Sequence, residues 1–433
     1  MTATTVAAVH AWEALDSRGR PTVACAVTLR GGGTGRAVVP SGASTGGHEA
    51  VELRDGGDRY GGKGVRRAVA NVAAVLAPAV VGRDADDRPA VDAVLEATDP
   101  DPLLGTVGAN AVLAVSLAVT LAAADQTREP LWRRLGGPDP LIPLPMVNVV
   151  SGGAHAGGLL DIQDVLVVPV GATSFAEAIE WAARVRAATA AVLDARGAGS
   201  PLVADEGGLA AALDGNEAAL ALVTEGIERA GLAGRVALAV DIAANQLRDG
   251  DAYRLRREGR TLDPAAWADL LDVWCGRYPV VSIEDALAED DWAGWRAVTD
   301  RWGAARQVLG DDLFATGADR LRRGIDGGVA NAVLVKPNQA GTVTRAERVV
   351  ATAHAAGYAT VVSARSGDTE DTWLADLAVG WRAGQIKVGS TTRSERTAKW
   401  NRLLEIESLA GGAARFAGAS TLGRTTTLGR STT

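Results

Sequence analysis

Val333-Leu334-Val335-Lys336-Pro337-Asn338-Gln339 is the stretch that decides the fold: an apolar run ends in a lysine, and a turn follows at once. Three upstream runs end the same way, but in acids: Ala237 to Asp241, Val280 to Glu284 and Val308 to Asp311. Two more follow downstream, Ala359 to Arg365 and Gln385-Ile386-Lys387. Short buried strands that each end on a charge suggest a parallel βα barrel, whose C-terminal rim is where chemistry gathers. The pattern predicts an α/β protein. Three carboxylates and two lysines converging on one rim suit a divalent cation facing an amine base.

At 433 residues the chain is too long for one small core and suits a barrel plus a smaller domain. A net charge of −8 argues against a protein that coats nucleic acid and suits small-molecule work. Cys25 and Cys275 lie far apart, so neither a disulfide framework nor a zinc site is expected, which favours a reducing, cytoplasmic setting. No basic stretch followed by an apolar core opens the chain, so no signal peptide is read. The longest apolar run, Ala111 to Ala124, contains Ser116 and Thr120 and is shorter than a membrane span. It is expected to be a buried helix, and no membrane association is expected.

Residues 1–65 alternate β-like runs with Gly-rich turns; Pro21 to Leu29 and Gly35 to Val39 are predicted strands. Alanine and valine at helical spacing predict helices over 66–135. Breakers at Gly136-Gly137-Pro138-Asp139-Pro140 mark a boundary. Beyond it, strand-like runs alternate with predicted helices such as Ser174 to Ala195, Asn216 to Ala230, Pro264 to Arg277 and Thr344 to Ala356. The domains expected are therefore 1–137, 138–410 and a tail, 411–433. In that tail Thr421-Leu422-Gly423-Arg424 recurs as Thr427-Leu428-Gly429-Arg430, and the composition predicts mobility.

Asp241, Glu284 and Asp311 each end one of three successive βα units, and hard oxygen ligands without cysteine suit Mg²⁺. Any one alone is more readily a helix cap; three in register, backed by Asp285 and Asp312, favour metal. Lys336 or Lys387 beside a dication would be pushed toward the neutral form a general base needs. A structural pairing with a site carboxylate is an equal reading for one lysine, while two on one rim favour function. The loop Ser41-Gly42-Ala43-Ser44-Thr45-Gly46-Gly47-His48-Glu49 could fold over a phosphate or metal, although by itself it reads as a surface turn. Ser151 to Gly158, with His155, is a second lid candidate. Asp205-Glu206-Gly207-Gly208 puts an acid pair on a turn, and Arg365-Ser366-Gly367 offers a bidentate grip on an anion.

With these residues assembled, the chain resembles an enolase. The likeness runs from Leu15-Asp16-Ser17-Arg18-Gly19 to Ile406-Glu407. It includes Val39-Pro40-Ser41-Gly42-Ala43-Ser44-Thr45-Gly46, Ser282-Ile283-Glu284-Asp285, Asn338-Gln339-Ala340-Gly341-Thr342 and Arg393-Ser394-Glu395-Arg396. The resemblance implies an N-terminal α+β capping domain followed by an enolase-type (β/α)8 TIM-like barrel. It implies interconversion of 2-phosphoglycerate and phosphoenolpyruvate with two Mg²⁺ ions, the second recruited with substrate. Asp241, Glu284 and Asp311 would hold the tight ion. Lys336 would take the proton next to the carboxylate, and Lys387 would hold that carboxylate. Glu206 would help the hydroxyl leave, with Asp164 on the same side. Arg365 and Ser366 would grip the phosphate, Ser44 would close over the second ion, and His155 would join the closed lid. A homodimer or higher homo-oligomer is expected on family grounds.

Two positions break the family pattern. Enolases read Gln-Glu where this chain has Gln163-Asp164, and Ser-His-Arg-Ser where it has Ser363-Ala364-Arg365-Ser366. Both lost side chains lie near the substrate's leaving hydroxyl in the family. Ala24 and Glu405 replace a pair that bridges the usual dimer, Ala286 stands in place of a proline, and Pro337 in place of an aliphatic residue. The changes open a second expectation, an enzyme similar to carboxyphosphonoenolpyruvate synthase of phosphinothricin-type biosynthesis, with a nucleotide-activated phosphonate as co-substrate. A third is a non-catalytic binding or structural descendant, against which the intact acids and lysines argue, because unpaired clustered charge destabilises a fold.

Overall fold

The computed structural model describes residues 2–43, 46–197 and 202–422. The N-terminal domain is built on an antiparallel sheet, β1 (Val6–Leu15), β2 (Pro21–Leu29) and β3 (Thr34–Val38). The helix Ala109–Thr127 lies across it. That helix is longer than the apolar run that predicted it and long enough to span a membrane, yet 83% of its most apolar stretch is buried inside the protein. Being apolar all round, it suits a core rather than a surface. Gly35 permits the contact: a Cβ there would stand 2.0 Å from the Ala118 carbonyl oxygen.

Eight strands form the barrel: β4 (Leu144–Ser151), β5 (Asp164–Val168), β6 (Ala237–Asp241), β7 (Val280–Glu284), β8 (Gln307–Gly310), β9 (Ala332–Val335), β10 (Ala359–Ser363) and β11 (Gly384–Gly389). Each pairs with the next, and β11 pairs with β4 to close the ring. Strand alternation then does two jobs. Ala237 and Ala239, Leu309, Ala332 and Leu334 fill the barrel interior. Two residues on from the last of these in each strand come Asp241, Asp311 and Lys336, so the periodicity that packs the core also aims the charges into the barrel mouth.

The parallel barrel expected from sequence needs one correction. β5 runs antiparallel to both neighbours, with Asp164 opposite Ser151 and Asp241. The connection from β4 is a loop containing a short turn of helix, Gly153–Ala156, and an antiparallel partner needs no crossover helix. Because β5 is reversed, its first residue, Asp164, is the one at the rim.

The mobile tail expected over 411–433 is a second correction for the residues described. Arg415–Phe416 pairs with Leu141–Ile142, and Leu422 joins the interior cluster at 2% exposure. Gln385 Nε2 donates to the Thr421 carbonyl at 2.8 Å. The segment therefore closes the N-terminal end of the barrel, so the barrel core supplies the apolar contacts that the tail's composition lacks. The repeat at 427–430 lies outside the described residues. Leu422→Ala should cost about 2–4 kcal/mol in urea unfolding; a loss within error would mean that the plug carries no stability.

Candidate active site

The barrel mouth holds the predicted charges in pairs. Lys387 Nζ donates to Asp241 Oδ2 at 2.6 Å and to Glu284 Oε2 at 2.7 Å. Lys336 Nζ pairs with Asp311 Oδ2. Gln163 Nε2 donates to Asp241 Oδ2 at 3.0 Å, and Gln339 Nε2 to Asp311 Oδ1 at 3.0 Å. Arg365 donates to Glu49 Oε2 at 2.9 Å and Asn338 Oδ1 at 3.1 Å. All of these residues are buried except Lys336, which is half-buried. A small cavity of about 20 Å³ between them is lined by Lys336 and Lys387 and, among others, by Arg365, Ala364, Glu206 and His155.

Burial and the crowding of Asp241 push the Glu284 carboxyl well above its usual range. Burial would also raise Asp311, but the Lys336 ammonium outweighs it and holds the carboxyl low. Lys336 was expected to drift toward neutrality. Burial pulls it that way, yet Asp311 prevails and raises its pKa. The structure shows the other reading weighed from sequence, a lysine paired with a site carboxylate; charge drawn off Asp311 would reverse the balance.

Whether the residues suit Mg²⁺ can be tested on their atoms. Asp241 and Glu284 end paired strands in register, and the set is all oxygen. Glu284 Oε1 is buried with no hydrogen-bond partner among the described residues, an acceptor left for a cation. The donor set fits a hard divalent ion. Asp285, Asp311 and Asp312 bring one oxygen each within 4.8 Å of one another, whereas Asp241, Glu284 and Asp311 do not form so tight a group. Asp285 is spoken for, however: its two oxygens accept from the backbone N–H of Asp311 at 2.9 Å and of Asp312 at 2.8 Å. Its role is to hold the β8 turn, a cap rather than a ligand.

Residues 6–135 match the family model described as Enolase, N-terminal domain, and residues 139–425 match Enolase, C-terminal TIM barrel domain. The chain belongs to the enolase family. Its acidic clusters and barrel mouth accord with the magnesium-dependent lyase chemistry of enolases.

Against the enolase pattern, the leaving-group side is rearranged. His155 Nδ1 hydrogen-bonds Asp164 Oδ2 at 2.8 Å, and its Nε2 lies 3.8 Å from Glu206 Oε1. Asn148 Nδ2 donates to the other Asp164 oxygen. Glu206 is placed by a turn whose next residue, Gly207, has φ +85° and no room for a Cβ, which would stand 2.5 Å from the Thr392 carbonyl oxygen. Ser366 Oγ accepts from Arg18 Nη1 at 3.2 Å. Ser44 lies outside the described residues. Ala364 borders the cavity as expected. Glu405 pairs with Arg402 at 2.8 Å within its own helix.

Sequence reasoning missed several supports. The Arg396 guanidinium donates to the carbonyls of Arg365, Val388 and Ser366 at 2.7–2.9 Å and so fixes the anion-gripping turn. It lay within a quoted motif, but a buried arginine whose hydrogen bonds go to backbone carbonyls leaves no sign in sequence. Gln163 and Gln339 adjoin flagged residues, and their amides became legible only once they were seen to touch the acids.

Burial pulls the His155 pKa down, but Asp164 and Glu206 outweigh it and carry it from 6.5 to about 9. A pKa raised on folding contributes stability below the unfolded value and loses it as pH climbs through the folded one. In buffer free of divalent ions, the unfolding free energy should therefore fall between about pH 6.5 and 9 relative to His155→Gln, by at most on the order of 3 kcal/mol. Parallel curves would show that His155 is not held charged.

Proposed function

We propose that this enolase-family chain removes the proton next to the carboxylate of a small phosphorylated C3 acid, 2-phosphoglycerate or a close analogue, and yields an enolpyruvate product. The observation that carries the reading is the pairing of Lys336 and Lys387 across one buried cavity, above Asp241, Glu284 and Asp311. Removing that proton places a second negative charge on a carboxylate already ionised, so fixed cations must stand where it develops. Asp241, Glu284 and Asp311 would hold Mg²⁺, which when bound supplies much of that positive charge.

Lys336 Nζ takes the proton in this reading and must first give up its own, which the pairing with Asp311 now holds. Lys387, held between two acids, keeps its charge and orients the substrate carboxylate. Arg365 and Ser366 face the cavity as the phosphate grip. Most of these groups are buried, and their low exposure to water strengthens each of these interactions.

A second reading is favoured by one observation. Ala364 lines the cavity where the family carries an imidazole, and the missing ring leaves room for a larger partner. The chain would then act as carboxyphosphonoenolpyruvate synthase does, joining an activated phosphonoformate to an enolpyruvate-forming acid.

Absorbance in the enolpyruvate band after 2-phosphoglycerate and Mg²⁺ separates the two. Turnover within about tenfold of an ordinary enolase would defeat the specialised reading, since a lost catalytic contact typically costs about 10²–10³. Silence with 2-phosphoglycerate, together with Mg²⁺-dependent binding of a nucleotide-activated phosphonate, would defeat the first. Restoring Ala364→His together with Asp164→Glu should raise dehydration; no gain would refute this account of the two sites. Lys336→Ala should lower proton exchange at the carbon beside the carboxylate by at least about 10². Full exchange in that variant would remove Lys336 from the role of base.

A further inference from the structure

Asp164 stands where enolases carry a glutamate near the departing hydroxyl, yet it does not border the cavity. The lining includes His155, Gln163 and Glu206 but not Asp164, which is 1% exposed. Both of its oxygens are engaged elsewhere. Oδ2 accepts from His155 Nδ1 at 2.8 Å, and Oδ1 accepts from Asn148 Nδ2. Shortened by one methylene, the carboxylate reaches the lid histidine rather than the reacting centre.

His155 is the complement. Its Nδ1 is committed to Asp164, while Nε2 stands 3.8 Å from Glu206 Oε1, beyond hydrogen-bond reach. That nitrogen is the ring's remaining donor, and its residue lines the cavity. We infer that His155 Nε2 is the acid that protonates the leaving oxygen, with Asp164 as a positioning residue that holds the ring oriented and charged. The arrangement is a carboxylate–imidazole pair of the sort that fixes tautomer and direction in other acid–base sites. Burial raises the Asp164 carboxyl above its usual range, against the His155 contact that favours its ionised form, so the geometry of the pair is what orients the ring.

The step balances as follows. The proton on the carbon beside the carboxylate passes to Lys336 Nζ, and its electron pair becomes the new carbon–carbon double bond. The bond from the adjacent carbon to the leaving oxygen breaks with its pair on oxygen. The Nε2 proton of His155 moves to that oxygen, which departs as water from a hydroxyl. His155 is left neutral, with Nδ1–H still on Asp164 Oδ2. Glu206, across from Nε2, orients the leaving group.

This inference rests on the proposed function, so its test must separate the two. The probe is 2-phosphoglycerate with Mg²⁺ in deuterated water. Nuclear magnetic resonance follows deuterium entry beside the carboxylate, which reports Lys336, and product formation, which reports loss of the leaving group. His155→Gln should lower elimination by about 10² or more, a general acid's usual share, and exchange far less. Asp164→Asn should shift the exchange-to-elimination ratio the same way by a smaller factor, a change that a merely structural residue would not produce. Circular dichroism and the surviving exchange confirm that each variant is folded. Equal loss of exchange and elimination in His155→Gln overturns the inference while leaving the proposed function standing. So does unchanged elimination in that variant with collapse in Glu206→Gln, which would make Glu206 the acid. Absence of exchange in the unaltered protein overturns the proposed function, and this inference falls with it.

Discussion

Five ionisable side chains share the barrel mouth, and the fold must keep them there with little water. Lys387 lies between Asp241 and Glu284, and Lys336 lies against Asp311; all but the half-buried Lys336 are buried. Each charge moved out of water costs several kcal/mol, and only close partners with good geometry offset it. The closed ring of strands supplies that geometry. Its hydrogen-bonded register sets Asp241 beside Glu284, and the acids cannot drift apart without breaking the barrel. The mouth is consequently stiff and highly charged, and an arriving carboxylate or phosphate meets lysines and arginine already in place. Such preorganisation is what an enzyme needs where negative charge develops during reaction.

The two sides of this mouth have diverged differently from the enolase pattern. Around the metal-binding acids and lysines the side chains are those of the family, and their supports are dense: amides of Gln163 and Gln339, the Asp285 cap and the Arg396 clamp on the neighbouring turn. On the other side stand Ala364 and Asp164, where the enolase pattern read from sequence has an imidazole and a glutamate. The loss is partly absorbed by His155, which takes Asp164 as its partner.

Much of this was legible in the chain. Ala237–Asp241 and Val280–Glu284 run over the residues that the apolar runs predicted, and Pro264–Arg277 is a helix with the expected bounds. Strands buried on both faces announce themselves as apolar runs, and the charges that end them are conspicuous. The reversed β5 was not legible: Asp164–Val168 is as apolar as its neighbours, and direction in a ring depends on what connects the strands. Nor was the barrel plug, since Leu422 sits in a Thr- and Gly-rich segment that finds apolar partners only in the assembled interior.

What the sequence determined by itself is which side chains exist and how often they recur: apolar strands, helices between them, and an acid or a lysine at several of the strand ends. These follow from local periodicity, which needs no partner to be read. The tertiary structure alone decided which charge touches which. Lys336 keeps its proton because Asp311 lies against it, Asp285 is a cap because two backbone amides reach it, and Asp164 serves His155 because β5 runs backwards. Electrostatic interactions depend on distances of a few ångströms between residues far apart in the chain, and only the closing of the barrel sets those distances.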